Sequence, residues 1–178
     1  MYFVKLKTKK DTVGFANQIA NICNNQTPQP PLSGGLYVVA LIGELGVGKT
    51  FFTKALGKAL GVKETIKSPS FNLMKVYEIP GRRTVETRQC LVSTQIKTLV
   101  HVDCYRLNSA EELIDIGLLD YFGYNNTLIV IEWADKIKKI LPKDAVWVKF
   151  KMGKDGVRMA AVNLKPMSFQ KIFSINIS

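Results

Sequence analysis

The rhythm of apolar and polar positions changes repeatedly along this chain, and each change marks an element. YFVKLKT at the start reads as a short strand, and from about Asp11 the spacing of Ala16, Ile19, Ala20 and Cys23 gives a helix one apolar face. Residues 24–35, NNQTPQPPLSGG, break both regular structures with proline and glycine and read as a loop. LYVVALIG is the longest apolar run; it suits a fully buried strand over 36–42 and is far too short to cross a bilayer. A glycine-rich turn follows. Then comes a helix from near Lys49, with Phe52, Ala55, Leu56 and Ala59 facing the core and Gly61 as its stop.

Segment 72–103 reads as two or three β segments: NLMKVYEI, QCLVSTQI and TLVHVDCY, with PGRRTVETR as a polar turn. Ser109 and Glu112 have the spacing of a capping box, which predicts one helix over AEELIDIGLLDYFG, 110–123. A buried strand over 128–132 ends abruptly on Glu132, with Trp133 directly behind it. AVWVKFKM alternates, GKDG turns and VRMAAVNL returns, which predicts a hairpin. Strands alternating with helices over the first two-thirds predict an α/β fold. We read it as one domain, a three-layer sandwich around a mostly parallel sheet with an antiparallel C-terminal hairpin. Residues 24–35 and 80–98 are then loop insertions and 166–178 a tail.

Composition adjusts this picture in three ways. A length of 178 residues suits one domain with a real core. Cys23, Cys90 and Cys104 are odd in number and lack CxxC spacing, which argues against a disulfide framework or zinc site and fits a reducing cytoplasm. The basic start, MYFVKLKTKK, is not followed by a long apolar region with a cleavage site, so we expect a cytoplasmic protein with no membrane attachment. The net charge of +11 is the outlying property. It fits attraction to an anionic partner and equally a lysine-rich solubilising surface. Lysines concentrate over 136–171, just after the acidic NSAEELIDIGLLDY.

The chemistry centres on GELGVGKT, Gly43 to Thr50, which satisfies G-x-x-x-x-G-K-[ST] between a buried strand and a helix. In such a P-loop, Gly46 and Gly48 let the backbone wrap closely so that its N–H groups face phosphate oxygens. The helix adds its positive end, Lys49 reaches the β- and γ-phosphates, and the Thr50 hydroxyl is a Mg²⁺ ligand. A P-loop needs an acid at a neighbouring strand tip, and Glu132 is placed for that. Asp103, ending LVHVD, is a second such acid. Trp133 reads as core packing more readily than as a stacking group. His101, the only histidine, reads as structural because no Ser, Cys or second His partners it. Arg106 fits an ion pair as well as a phosphate contact. SPSF, Ser68 to Phe71, lies where many NTPases place a loop that senses the γ-phosphate, and on spacing alone it is no better than a turn.

Together these residues resemble the TsaE family, small bacterial P-loop ATPases needed to make threonylcarbamoyladenosine in tRNA. The resemblance runs from about Asp11 to Pro142 through Thr12, GELGVGKT, SPSF, HVDCYR, EELIDIGLLDYF and IEWAD ahead of LP. It implies that ATP lies on Glu44, Leu45, Gly46, Val47, Gly48, Lys49 and Thr50, with Thr12 and Arg158 near the rest of the nucleotide. It implies Mg²⁺ on Thr50 and Glu132 with Asp103 close by, so that Lys49, Asp103 and Glu132 are the catalytic set. Ser68, Pro69 and Ser70 would form the switch loop, although the family usually has threonine where Ser70 stands. The implied role is ATP hydrolysis on the TsaD–TsaB pair, which itself transfers the threonylcarbamoyl group. The free protein would be a monomer that hydrolyses slowly alone, and tRNA would be met indirectly or by weak electrostatic contact.

Two other readings stay open on the residues. A small-metabolite kinase would need an arginine lid, which Arg82, Arg83 and Arg88 could imitate. A nucleotide-gated binding module would use the basic C-terminal third and hydrolyse negligibly. A GTPase fits poorly, because the sequence has no N-K-x-D.

Overall fold

The computed structural model describes residues 1–25, 37–69, 72–80, 96–124 and 126–163. Most of both loop insertions and of the QCLVSTQI strand, the three candidate lid arginines, Ser70, Phe71, Cys90 and the tail lie outside the described residues. Within them, seven strands form one mixed sheet: β1 (Tyr2–Leu6), β2 (Tyr37–Ile42), β3 (Met74–Glu78), β4 (Thr98–Asp103), β5 (Thr127–Glu132), β6 (Val146–Met152) and β7 (Arg158–Val162). Their order is β1-β7-β6-β2-β5-β4-β3. The four central strands, β6, β2, β5 and β4, are parallel. Antiparallel partners close both edges, β3 on one side and the β6–β7 hairpin with β1 on the other. The α/β sandwich with a parallel core and an antiparallel C-terminal hairpin is thus the observed architecture.

Two cores explain the layering. On one face α1 (Lys9–Asn25) and α2 (Lys49–Leu60) cover Val39, Leu41, Leu99, Leu128, Val130, Val148 and Phe150. On the other, the short elements after β4 and β5 cover Val38, Ala40, Val100, Val102, Ile129 and Ile131. The strict period of two in β4 and β5 sends alternate residues to the two cores, so both strands are buried along nearly all their length. Gly57 lets α2 close on the sheet: a Cβ there would meet Ile66 Cδ1 at 2.0 Å and Leu99 Cδ2 at 3.1 Å.

The helix boundaries show which local signals win. Helix α1 starts at Lys9, earlier than the apolar spacing suggests, because Thr8 and Asp11 cap it reciprocally. Thr8 N donates to Asp11 Oδ2 (2.8 Å) and Asp11 N to Thr8 Oγ1 (3.2 Å). Gly61 stops α2 as expected, at φ 97°. The single helix expected over 110–123 is corrected to two pieces: α3 (Glu111–Asp115) and a 3₁₀ segment, Leu118–Gly123. Gly117, at φ 80°, takes a left-handed turn between them and its N–H closes on Ile114 O at 2.9 Å. Only half of the predicted capping box forms: Glu112 accepts from the Ser109 N–H (3.2 Å) and the Asn108 N–H (2.9 Å).

Candidate active site

β2 delivers the glycine turn, and β4 and β5 deliver the two acids, all at the same end of the parallel sheet. The register pairs Asp103 with Glu132 and Leu41 with Glu132, so the strand tips are immediate neighbours. In an open α/β sheet this carboxyl end is where ligands lodge. A cavity of about 380 Å³ opens there, lined by Leu45, Gly46, Gly48, Lys49, Thr50, Ser68, Asp103, Arg106, Glu132 and Trp133 among others. Its size falls within the range of small-molecule sites.

The turn is built for close approach. Gly43, Gly46 and Gly48 all have positive φ (144°, 75° and 109°). A Cβ on Gly43 would lie 2.5 Å from Phe150 O, so only glycine lets the turn pack against β6. Gly48 then starts α2 without a side-chain cap, which leaves the helix's first N–H groups toward the turn. Lys49 is nearly buried, at 4% exposure, and its Nζ donates to Gly43 O (2.7 Å) and Glu44 O (2.8 Å). The same ammonium sits 3.8 Å from the centroid of the Trp133 ring. Burial lowers its pKa from 10.5, against the opposing pull of Glu132, Asp103 and Asp135.

Glu132 is buried and accepts on both oxygens. Thr50 Oγ1 donates to Oε2 at 2.7 Å; Thr53 Oγ1 donates to Oε1 at 3.3 Å, and His101 Nε2 lies 2.9 Å from Oε1. Asp103, also buried, accepts from Ser68 Oγ on Oδ2 (2.6 Å) and from the Tyr105 N–H on Oδ1 (3.1 Å). Two carboxylates and one hydroxyl beside a phosphate-shaped turn are a donor set that fits Mg²⁺, a hard ion that takes one or two carboxylates and otherwise keeps water and phosphate oxygens. With its hydrogen donated to Glu132, the Thr50 oxygen retains lone pairs for such an ion.

The structure therefore gathers Leu45, Gly46, Gly48, Lys49, Thr50, Ser68, Asp103 and Glu132 around one cavity. Glu44 contributes its carbonyl to Lys49, and Val47, whose side chain is buried in the core, has only its backbone to offer. Arg158 stands close by: its Nη1 is 3.4 Å from where a Gly48 Cβ would be. Thr12 is not brought to this cavity. It is buried in α1 with its hydroxyl 3.5 Å from Thr8 O. Pro69 accepts the Asn72 N–H beyond Ser68. Sequence reasoning missed Thr53 and the contact of His101 with Glu132. Thr53 lies three residues after Thr50 on a helix, and His101 two before Asp103 on a strand, so helical and strand periods place both on the site's face. Trp133, read as core, packs on the second core and also floors the cavity under Lys49, at φ 57°. Cys104 beside the site is held up to about 12 by burial and then by Asp103, which keeps it an inert thiol; the same holds for buried Cys23. No helix among the described residues is long and apolar enough to cross a membrane.

Comparison with known proteins places the chain in a family. Residues 6–160 match the family model described as threonylcarbamoyl adenosine biosynthesis protein TsaE. The chain is 38% identical over 125 residues to the tRNA threonylcarbamoyladenosine biosynthesis protein TsaE of Treponema pallidum (strain Nichols), covering 70% of this chain and 80% of the relative. It is 31% identical over 165 residues to that of Rickettsia prowazekii (strain Madrid E), covering 92% and 96%. The crystal structure of Bacillus subtilis YdiB shares its fold, with a TM-score of 0.66 over 96% of this chain and 90% of that one at 22% identity. The chain belongs to the TsaE family of tRNA threonylcarbamoyladenosine biosynthesis proteins.

Proposed function

We propose that the protein is a Mg²⁺-dependent ATP hydrolase that serves tRNA threonylcarbamoyladenosine formation by acting on the TsaD–TsaB pair. The observation that carries this reading is the convergence on one cavity of Lys49 and Thr50 from the glycine turn with Asp103 and Glu132 from adjacent strand tips. The turn from Glu44 to Thr50 holds the phosphates, with its N–H groups and the start of α2 meeting negative charge. Lys49 exchanges its bonds to Gly43 O and Glu44 O for phosphate oxygens, where its charge stabilises the charge developing in hydrolysis. Thr50 and Glu132 would hold Mg²⁺, which would supply a Lewis acid that neutralises phosphate charge. Asp103 orients the attacking water, and its bond to Ser68 ties the switch loop to that task. Arg158, beside Gly48, reaches toward the nucleotide. The excess of positive charge would meet tRNA only through weak contacts screened by salt.

The test is phosphate release from ATP and Mg²⁺, by the protein alone and with purified TsaD–TsaB. Slow basal release, strong stimulation by the pair and silence of Lys49→Ala are expected. Unchanged release by Lys49→Ala would sink the assignment. A phosphorylated small molecule as product would make the protein a kinase instead.

A further inference from the structure

We propose that His101 is a positioning residue for Glu132: its ring N–H fixes which carboxylate oxygen turns toward the cavity. This rests on Glu132 serving a magnesium–nucleotide site. His101 lies on β4 two residues before Asp103, so both side chains leave the sheet on the α2 face. The parallel register sets Asp103 opposite Glu132 and His101 opposite Val130, which makes the imidazole a diagonal neighbour of the carboxylate. Nε2 lies 2.9 Å from Glu132 Oε1, and His101 has no exposed surface.

The hydrogen bonds say what the ring is for. Its other nitrogen, Nδ1, is buried with no hydrogen-bond partner among the described residues. A histidine serving only to fill the core would be expected to satisfy both nitrogens, and among neighbours such as Leu99 and Val130 an aliphatic side chain would fill the space with no polar atom to bury. Here one nitrogen goes unpaired while the other is spent on Glu132. Because a carboxylate oxygen faces Nε2, the pattern assigns the hydrogen to Nε2 and leaves Nδ1 as a bare acceptor, less costly than an orphaned buried N–H.

The remaining donors to Glu132 show why that N–H matters. Thr53 has one hydroxyl hydrogen and two acceptors in reach, Lys49 O at 3.1 Å and Glu132 Oε1 at 3.3 Å. Oε1 therefore depends on His101. With Oε1 held by the ring, Oε2 is the oxygen left facing Thr50 at 2.7 Å. The terminal torsion of a glutamate is broad, so without that anchor the carboxylate would sample orientations that withdraw it from Thr50. Outer groups of this kind typically change metal affinity 10–100-fold when removed.

The experiment compares wild type with His101→Leu, His101→Asn and His101→Gln. Leu fills the space without a donor, Asn carries its amide nitrogen only about as far as Nδ1, and Gln carries one about as far as Nε2. Binding of the imidotriphosphate analogue of ATP is measured by calorimetry in EDTA and at stepped Mg²⁺, alongside melting of the free proteins. Affinity in EDTA is expected to match wild type in all three, since the glycine turn and Lys49 are untouched. The tightening produced by Mg²⁺ is expected to weaken about 10–100-fold in Leu and Asn and to return to within about threefold of wild type in Gln. Full Mg²⁺ tightening in His101→Leu, or equal losses in Asn and Gln, would overturn the role. Should Leu fail to fold, the Asn–Gln pair decides on the same terms. A wild type whose binding ignores Mg²⁺ would instead bring down the magnesium–nucleotide reading, and this inference with it.

Discussion

Asp103 and Glu132 end adjacent parallel strands, sit opposite each other in register and line the same cavity, yet they are held in different ways. Glu132 is gripped by side chains of regular structure: Thr50 and Thr53 on α2 and His101 on β4. Asp103 is tied instead to loop groups, the Ser68 hydroxyl before β3 and the Tyr105 N–H just after β4. A carboxylate locked by the core suits a fixed metal position. One bonded to a loop can report whether that loop is in place. On the proposed reading the pair would divide a rigid task from a conditional one.

The widest separation should appear in the charge-removing isosteres. Glu132→Gln is expected to abolish the Mg²⁺ dependence of nucleotide binding and lower turnover by about 10²-fold or more. Asp103→Asn should leave Mg²⁺-dependent binding within about threefold while turnover falls by about the same large factor. Calorimetry at stepped Mg²⁺ with phosphate release on the same samples separates the two; exchanged phenotypes would exchange the roles.

Truncation should separate them again, more modestly, without any ligand. Glu132→Ala strips buried donors of their acceptor, and leaving such groups unsatisfied costs about 1–3 kcal/mol. Asp103→Ala releases a hydroxyl on an exposed loop and a backbone N–H near the surface, both within reach of water, so we expect less than about 1 kcal/mol. Urea unfolding of the free proteins measures both. Equal losses would mean that the core does not grip Glu132 more tightly.

Much of this arrangement is legible in the sequence. The glycine turn, its strand and helix, and both strand-tip acids follow from apolar runs that stop on a carboxylate. The full strand pairing does not follow, because β1 joins its edge through β7, a partner distant in the chain, and nothing local in YFVKL names it. Helix 110–123 fails for a nearer reason: Gly117 can take a left-handed turn that a capping box does not foresee. In the sequence His101 reads as structural, because no Ser, Cys or second His partners it. Its partner is a residue on the next strand, reached diagonally across a register that only the fold supplies.

A smaller effect should come from Ser68, which joins the two halves of the comparison. Ser68→Ala deletes the 2.6 Å bond to Asp103 from an exposed loop position, so free-protein stability should fall by no more than about 1 kcal/mol. If the loop reports through Asp103, stimulation by TsaD–TsaB should drop several-fold while basal release and Mg²⁺-dependent binding hold. Loss of basal release in proportion would place Ser68 in the same rigid set as Thr50.

The least effect, and the one most specific in sign, concerns the cation between the two acids. Burial pulls Lys49 below 10.5 despite Glu132, Asp103 and Asp135, so its ammonium is a net burden on the nucleotide-free fold. At neutral pH both folded and unfolded chains carry the proton and the burden is fully present. As pH rises through the lowered folded value, the folded protein sheds the proton while the unfolded chain still holds it, and stability rises by linkage until the burden is gone above about 10.5. Lys49→Met keeps most of the stem and cannot titrate. Wild type should therefore gain stability relative to this variant as pH rises toward about 10.5, with the groups common to both cancelling in the difference. A difference that stays flat, or moves the other way, would mean that the acids compensate the buried ammonium completely, and that Lys49 is held ready at no cost to the empty fold.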